Sequence, residues 1–412
     1  ITMKEYRTGC VSVIQNTARS EGKGPTFLSE AAVAQVQRIH LGYPDYHETP
    51  LRRLDAMAEK LGVKAFFVKD ESQRFGLNAF KGLGGLYAIT RVICRELGLD
   101  AVKINFSDLK KPEYQEAVHK MVFVTATDGN HGKGVSWAAG QLGCAAHVYM
   151  PIGSSELRAQ AIRDVNLKAE VTITKSGYDD TVRYAAKMAE KHGWILIQDT
   201  SWEGYEDIPS WIIQGYTTMA EEACIQMEEQ GLVPTHVFLQ AGVGAMAGGV
   251  TGYLVNRYEG RRPAIGVVEP ENMACIYQSA LVGDGEAHEA VEQAPTIMAG
   301  LNCGEPCKIA WPILRDFGDW YFKCPDYVSA YGMRLLAAPQ GADPKVVSGE
   351  SGAVTIGLIN LIAGKEEYAD IKRLLGLGPD SVVFCISTEG DTDPVHYRKI
   401  VYEGKNPMPQ QA

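Results

Sequence analysis

Residues 120–151 read KMVFVTATDGNHGKGVSWAAGQLGCAAHVYMP, and the order of patterns within them decides the fold. KMVFVTAT (120–127) is a short β-branched run and AAHVYMP (145–151) a second apolar one, while VSWAAGQLG between them is patterned as a helix. Two strands joined through a helix pair in parallel, because an antiparallel hairpin needs only a tight turn. The polar stretch TATDGNHGKG (125–134) then falls in the loop that follows the first strand.

The same alternation extends outward in both directions. KAFFVKD (64–70), AEVTIT (169–174), WILIQD (194–199), THVFLQ (235–240), AIGVVEP (264–270) and SVVFCIS (381–387) read as strands, and YDDTVRYAAKMAEKHG reads as a helix among them. These strands are nearly all apolar, as expected where helices cover both faces of a sheet. The expected class is α/β, with mostly parallel, helix-covered sheets and right-handed crossovers. Ligands in such folds gather beyond the carboxyl ends of the strands. At 412 residues the chain exceeds what one core usually supports, so two lobes are expected. Residues 1–30, 283–300 and the tail NPMPQQA (406–412) read as weakly structured.

Composition narrows the function. With 40 Lys and Arg against 50 Asp and Glu, the net charge of −10 lacks the basic footprint of nucleic-acid binding. No run reaches the roughly 20 apolar residues of a membrane span. The opening ITMKEYRTGCVSVIQ lacks the order of a secretory signal, so the cytoplasm is expected. The nine cysteines form no CxxC, and no metal site is expected. They read as reduced, buried thiols, with a loop disulfide involving Cys275, Cys303 or Cys307 as the alternative.

Four loops after strands carry the chemistry. In GLNAFKGLGG (76–85), Lys81 falls at the start of a helix, where the positive end of the dipole and Phe80 and Leu83 beside it should disfavour its charged form. That suits an amine that forms a Schiff base, and the alternative is a snorkelling surface lysine. In TATDGNHGKG, Asp128, Gly129 and Asn130 stand where the free N–H groups of the next helix can take a carboxylate; alternatively Asp128 caps that helix and His131 is structural. In QAGVGAMAGG (240–249), the glycines can turn consecutive N–H groups toward a phosphate, although no lysine follows as in a nucleotide loop. In CISTEGDTDP (385–394), a hydroxyl of Ser387 or Thr388 can meet a heteroaromatic nitrogen, or simply close a turn. An amine, an asparagine loop, an anion cradle and a hydroxyl together are the parts pyridoxal phosphate needs.

KDESQRFGLNAFKGLGG, TDGNHGKGVSWAA, QDTSWEGY, QAGVGAMAGG, IMAGLNCGEP, SGESGAV and ISTEGDTD make the chain, from about 45 to 405, resemble the fold-type II pyridoxal-phosphate enzymes. That group includes threonine dehydratase and the tryptophan synthase β chain, and within it the resemblance is to the diaminopropionate ammonia-lyases. It implies a larger domain of residues 1–88 and 210–412 with residues 89–209 inserted as a smaller one, and a homodimer. It also implies that Lys81 holds pyridoxal 5'-phosphate as a Schiff base beside Phe80, and that Asn130 meets the cofactor's phenolic oxygen. Gly242, Val243, Gly244, Ala245 and Met246 would wrap the phosphate, and Ser387, with Thr388 as the alternative, would face the pyridine nitrogen. Thr127, Asp128, Gly129 and Asp199 would meet the substrate, with Lys81 and Asp128 as bases on its two faces and Asp199 orienting the second amine or sitting in a network. The implied reaction is α,β-elimination of D- and L-2,3-diaminopropionate, through an aminoacrylate, to pyruvate and two ammonia. A serine or threonine dehydratase is the alternative enzyme, and a nucleotide-binding regulator the alternative outside enzymes.

Overall fold

Where side chains are apolar on both faces, strands become the buried centre of a sheet. The computed structural model, which describes residues 3–409, contains strands β1 (Met3–Thr8), β2 (Val11–Asn16), β3 (Leu51–Arg53), β4 (Ala65–Asp70), β5 (Val122–Ala126), β6 (Ala145–Met150), β7 (Ala169–Ile173), β8 (Ile195–Leu196), β9 (His236–Gln240), β10 (Ala264–Pro270), β11 (Trp320–Cys324) and β12 (Val382–Ser387). They form an eight-stranded sheet in the order β1-β2-β11-β10-β9-β12-β4-β3 and a four-stranded sheet in the order β7-β6-β5-β8. Strands β11, β10, β9, β12 and β4 run parallel, with antiparallel pairs only at the edges, and the small sheet is parallel throughout. Every residue of β4, β9 and β12 is buried, the signature of a sheet covered on both faces.

The N-terminal segment departs from expectation. Residues 3–16 form a hairpin with Met3 opposite Asn16, and β2 lies against β11, a strand the sequence pattern did not single out. Alternation is hidden there because the inward side of β2 is buried under neighbours far along the chain. Of WILIQD only Ile195–Leu196 pairs as a strand. The segment 283–300 has no regular element before the short turn Ala299–Leu301, yet it is anchored: His288 N–H donates to Ser279 Oγ at 2.8 Å and Ala290 N–H to the Gly304 carbonyl at 2.9 Å. In the tail, Arg334 donates to the carbonyls of Lys405 and Asn406, while residues 410–412 lie outside the described part.

The expected domain borders at 88/89 and 209/210 both fall inside helices, Gly82–Leu97 and Asp207–Glu228. These helices touch through glycines. A Cβ on Gly215 would lie 2.7 Å from the Leu83 carbonyl oxygen, and one on Gly84 would lie 2.6 Å from the Tyr216 ring. A second close approach sets the site. A Cβ on Gly85 would lie 2.9 Å from the Gly134 carbonyl oxygen, and one on Gly134 would lie 2.8 Å from the Lys81 carbonyl carbon. Helices meet backbone to backbone only where no side chain intervenes, so this pair presses the lysine loop of the large sheet against the asparagine loop of the small one. Among the described residues no helix is long and apolar enough to cross a membrane.

Candidate active site

The loops after β4, β5, β8, β9 and β12 converge on a cavity of about 680 Å³. Lys81 immediately precedes the helix Gly82–Leu97, with its nitrogen 5.3 Å from the centre of the Phe80 ring and 5.4 Å from that of Tyr216. Its Nζ lies 2.7 Å from Asp199 Oδ2. Lys81 therefore does not behave as the sequence suggests. Burial does disfavour its charge, but the adjacent Asp199 carboxylate outweighs burial and raises the amine above the ordinary lysine value. Burial acts the other way on Asp199, and Lys81 outweighs it too, holding that carboxyl well below the usual range.

Asp199 caps no helix; the next helix starts at Asp207. Gln198 and His131 also approach Asp199, the latter with its Nδ1 3.9 Å away. His131 Nε2 lies 2.9 Å from the Ile197 carbonyl oxygen. A carbonyl only accepts, so Nε2 carries the proton and the bare Nδ1 faces Asp199. Burial lowers the His131 pKa and keeps the ring neutral.

The asparagine loop is closed by Thr127, whose buried Oγ1 accepts the N–H groups of Gly129 (2.8 Å) and Gly132 (2.9 Å). Gly129, at φ 151°, ends the loop without a side-chain cap, so Asp128 is no helix cap. Gly129 also does not line the cavity: its N–H is spent on Thr127, and its Cα is covered by Arg158, which a Cβ there would approach to 3.1 Å. The N–H groups of Asn130 and His131 have no protein acceptor among the described residues. Asp128 borders both this cavity and a wider outer cleft of about 1920 Å³. Burial pushes its carboxyl up to about 8; Arg158 and Lys81 oppose that shift, and Asp199 and Asp179 add to it.

A dianionic phosphate needs unsatisfied donors, and the glycine loop has them. Among the described residues, no backbone N–H from Gly242 to Ala247 donates to a protein acceptor, although the segment is largely buried. Gly244, at φ 93°, turns the chain into the helix Ala245–Arg257, and a Cβ on Gly242 would lie 3.0 Å from the Gly300 carbonyl oxygen. These residues fit the phosphate of pyridoxal phosphate, and Lys81 fits its aldehyde.

At the end of β12 the two hydroxyls divide. Ser387 does not reach the cavity; it is fully buried and its hydroxyl donates to Ser348 Oγ at 2.7 Å. Thr388, just past the end of the strand, lines the cavity, its Oγ1 accepting from Gln240 Nε2 at 3.2 Å. Gln240, which ends β9 after the apolar run Val237–Leu239, and Glu389, inside the ISTEGDTD motif, also line it. A polar side chain at or just past the end of a buried strand marks both in the sequence. Tyr178 (cavity wall), Tyr216 (over Lys81) and Arg158 (behind Gly129) had no such signal, since each reads as an ordinary helix residue. All nine cysteines are unpaired, including Cys275 and Cys303.

Residues 43–377 match the family model described as "Pyridoxal-phosphate dependent enzyme". The chain is 48% identical over 385 residues to a diaminopropionate ammonia-lyase of Escherichia coli strain K12, covering 93% of this chain and 95% of that one. It is 47% identical over 396 residues to a diaminopropionate ammonia-lyase of Salmonella typhimurium strain LT2, covering 95% and 98%. The crystal structure of the Escherichia coli lyase in complex with an aminoacrylate-PLP azomethine reaction intermediate superposes with a TM-score of 0.88 at 45% identity, covering 98% of this chain and 100% of that one. The chain belongs to the pyridoxal-phosphate dependent enzyme family and, within it, to the diaminopropionate ammonia-lyases.

Proposed function

We propose that the enzyme eliminates the β-amine of 2,3-diaminopropionate, in both D and L forms, releasing an aminoacrylate that hydrolyses to pyruvate so that each turnover yields two ammonia. One observation carries this reading: two carboxyl groups of opposite character stand about one lysine, Asp199 held ionised at 2.7 Å and Asp128 raised to about 8. Environments that push two carboxyl groups apart in this way separate a charge-binding role from a proton-transfer role. The names of the two relatives, and the intermediate in the solved relative, support the substrate and the product.

Pyridoxal phosphate, when bound, supplies an electron sink for the negative charge that develops at the substrate's Cα. Lys81 holds the cofactor by its amine, Gly242, Val243, Gly244, Ala245 and Met246 offer N–H groups to the phosphate, and Phe80, Asn130 and Thr388 position the ring. With its nitrogen so engaged, Lys81 no longer neutralises Asp199. A buried carboxylate without a counter-charge is costly, so the site favours a substrate ammonium that takes the lysine's place. Thr127 holds the loop whose Asn130 and His131 N–H groups receive the substrate carboxylate.

Lys81, released when the substrate amine binds, removes the Cα proton on one face. Asp128 removes it on the other. The β-nitrogen must leave protonated, because an amide anion is far too basic to depart, and the base that has just taken the Cα proton, Lys81 on one face or Asp128 on the other, is then the acid that supplies it. A serine or threonine dehydratase would leave the Asp199 carboxylate unpaired during turnover. The test measures pyruvate and ammonia from D- and L-diaminopropionate and from serine: two ammonia per pyruvate from both diamines is expected, and faster turnover of serine would reject the proposal.

The proposal extends to a cytoplasmic homodimer. Nine unpaired thiols suit a reducing compartment, and the family resemblance supports the dimer. Light scattering of the purified protein tests the second point.

A further inference from the structure

Glu389 follows Thr388, and none of the roles above uses it. The residue is 2% exposed and lines the cavity. Three donors converge on its carboxyl: the Ser351 N–H at 3.0 Å on Oε1, and Asn130 Nδ2 at 2.5 Å and Thr392 Oγ1 at 3.3 Å on Oε2. A carboxylate only accepts, so the Asn130 carboxamide can face it only with its NH2 group. The opposite orientation would set two buried acceptors against each other. Both carboxylate oxygens are occupied, so a carboxamide in place of Glu389 would turn a donor toward one of its donors.

The residue is also fixed through its main chain. Glu389 bridges Ala79, two residues before Lys81, and its carbonyl accepts the Gly349 N–H at 3.0 Å. It thereby ties the lysine loop, the asparagine loop and the start of the helix Glu350–Gly364 together. Burial, helped by Glu350, raises its carboxyl overall, and Arg158 and the hydrogen bonds from Asn130 and Ser351 oppose that shift, so these two donors are what favours the ionised form.

We propose that Glu389 is a positioning residue that holds the Asn130 carboxamide with one N–H on its own carboxylate, leaving the other N–H for the cofactor. The inference rests on the reading that Asn130 contacts the cofactor.

A double-mutant cycle tests it, with the pyridoxal-phosphate dissociation constant and the visible absorption band of the loaded protein as readouts. E389Q is expected to weaken cofactor binding about 10- to 100-fold, the cost of one unpaired buried donor, and to shift the band. In the N130A background E389Q is expected to add less than about twofold. An E389Q loss that persists undiminished in N130A overturns the proposal. Unchanged binding and band in N130A overturn the contact reading and the proposal with it. An impaired N130A beside a normal E389Q overturns the part assigned to Glu389 alone. If E389Q does not fold, the swap N130D/E389Q restores a carboxylate against a carboxamide with reversed polarity. That swap is expected to fold yet bind the cofactor weakly, and wild-type binding by it overturns the proposal.

Discussion

Lys81 Nζ lies 2.7 Å from Asp199 Oδ2, where the two side chains are only 16% and 5% exposed. Residues 118 positions apart in the chain thus form the charge pair on which the site turns. Its lysine is raised and its carboxylate lowered, so the pair's contribution to stability is present between the ordinary carboxylate and lysine values, about pH 4 and pH 10. It is lost as the pH falls below that window, through protonation of Asp199, and as it rises above it, through deprotonation of Lys81.

Asp199→Asn leaves a buried ammonium without a partner in the cofactor-free protein. We expect it to destabilise that form by about 3 kcal/mol and the loaded form by much less, because the lysine nitrogen is then engaged. Thermal melts of both forms check this, and equal losses in the two would contradict the ion-pair account. The KM for diaminopropionate is expected to rise more than tenfold.

Asp128→Asn is expected to reduce turnover of the D isomer roughly 100-fold while largely sparing the L isomer. The enantiomers share their own pKa values, so any difference between their pH–rate profiles belongs to the protein. A limb near pH 8 in the D profile, rising as Asp128 ionises and absent from the variant, is the expected signature. Equal loss with both isomers would remove Asp128 from a face-specific role. A raised carboxyl also costs stability as pH rises from its unfolded value near 4 to about 8, so the variant's melting temperature should gain on the wild type from pH 5 to pH 9.

Lys81→Ala removes the one lysine that lines the cavity among the described residues. The purified variant is expected to lack the visible band and to incorporate no borohydride-reducible cofactor; a retained, reducible chromophore would place the attachment elsewhere.

Gly134→Ala inserts a methyl group 2.8 Å from the Lys81 backbone. We expect about 1–3 kcal/mol of destabilisation and faster loss of cofactor, because the atoms it would meet are all backbone atoms of Lys81 and Gly82 that cannot move aside. Urea denaturation and dialysis against buffer measure the two effects.

Thr388→Ala should weaken cofactor binding about tenfold, whereas Ser387→Ala should act mainly on stability, because only Thr388 lines the cavity. The reverse ranking in a cofactor titration would restore Ser387 to the ring.

Sequence alone determined the α/β class, the loops that carry chemistry and the residue types in them. Apolar runs such as Phe66–Phe67–Val68 and Val383–Phe384–Cys385 have few alternatives to buried parallel strands, and glycine loops such as Gly242–Gly244 declare their backbone freedom. Local pattern could not say which groups meet. The charge state of Lys81 is set by Asp199, Thr388 lines the cavity and Ser387 does not, and β2 finds β11 some three hundred residues along the chain. These outcomes depend on contacts between residues far apart in the chain, and electrostatics acts through space, so the tertiary structure decided them.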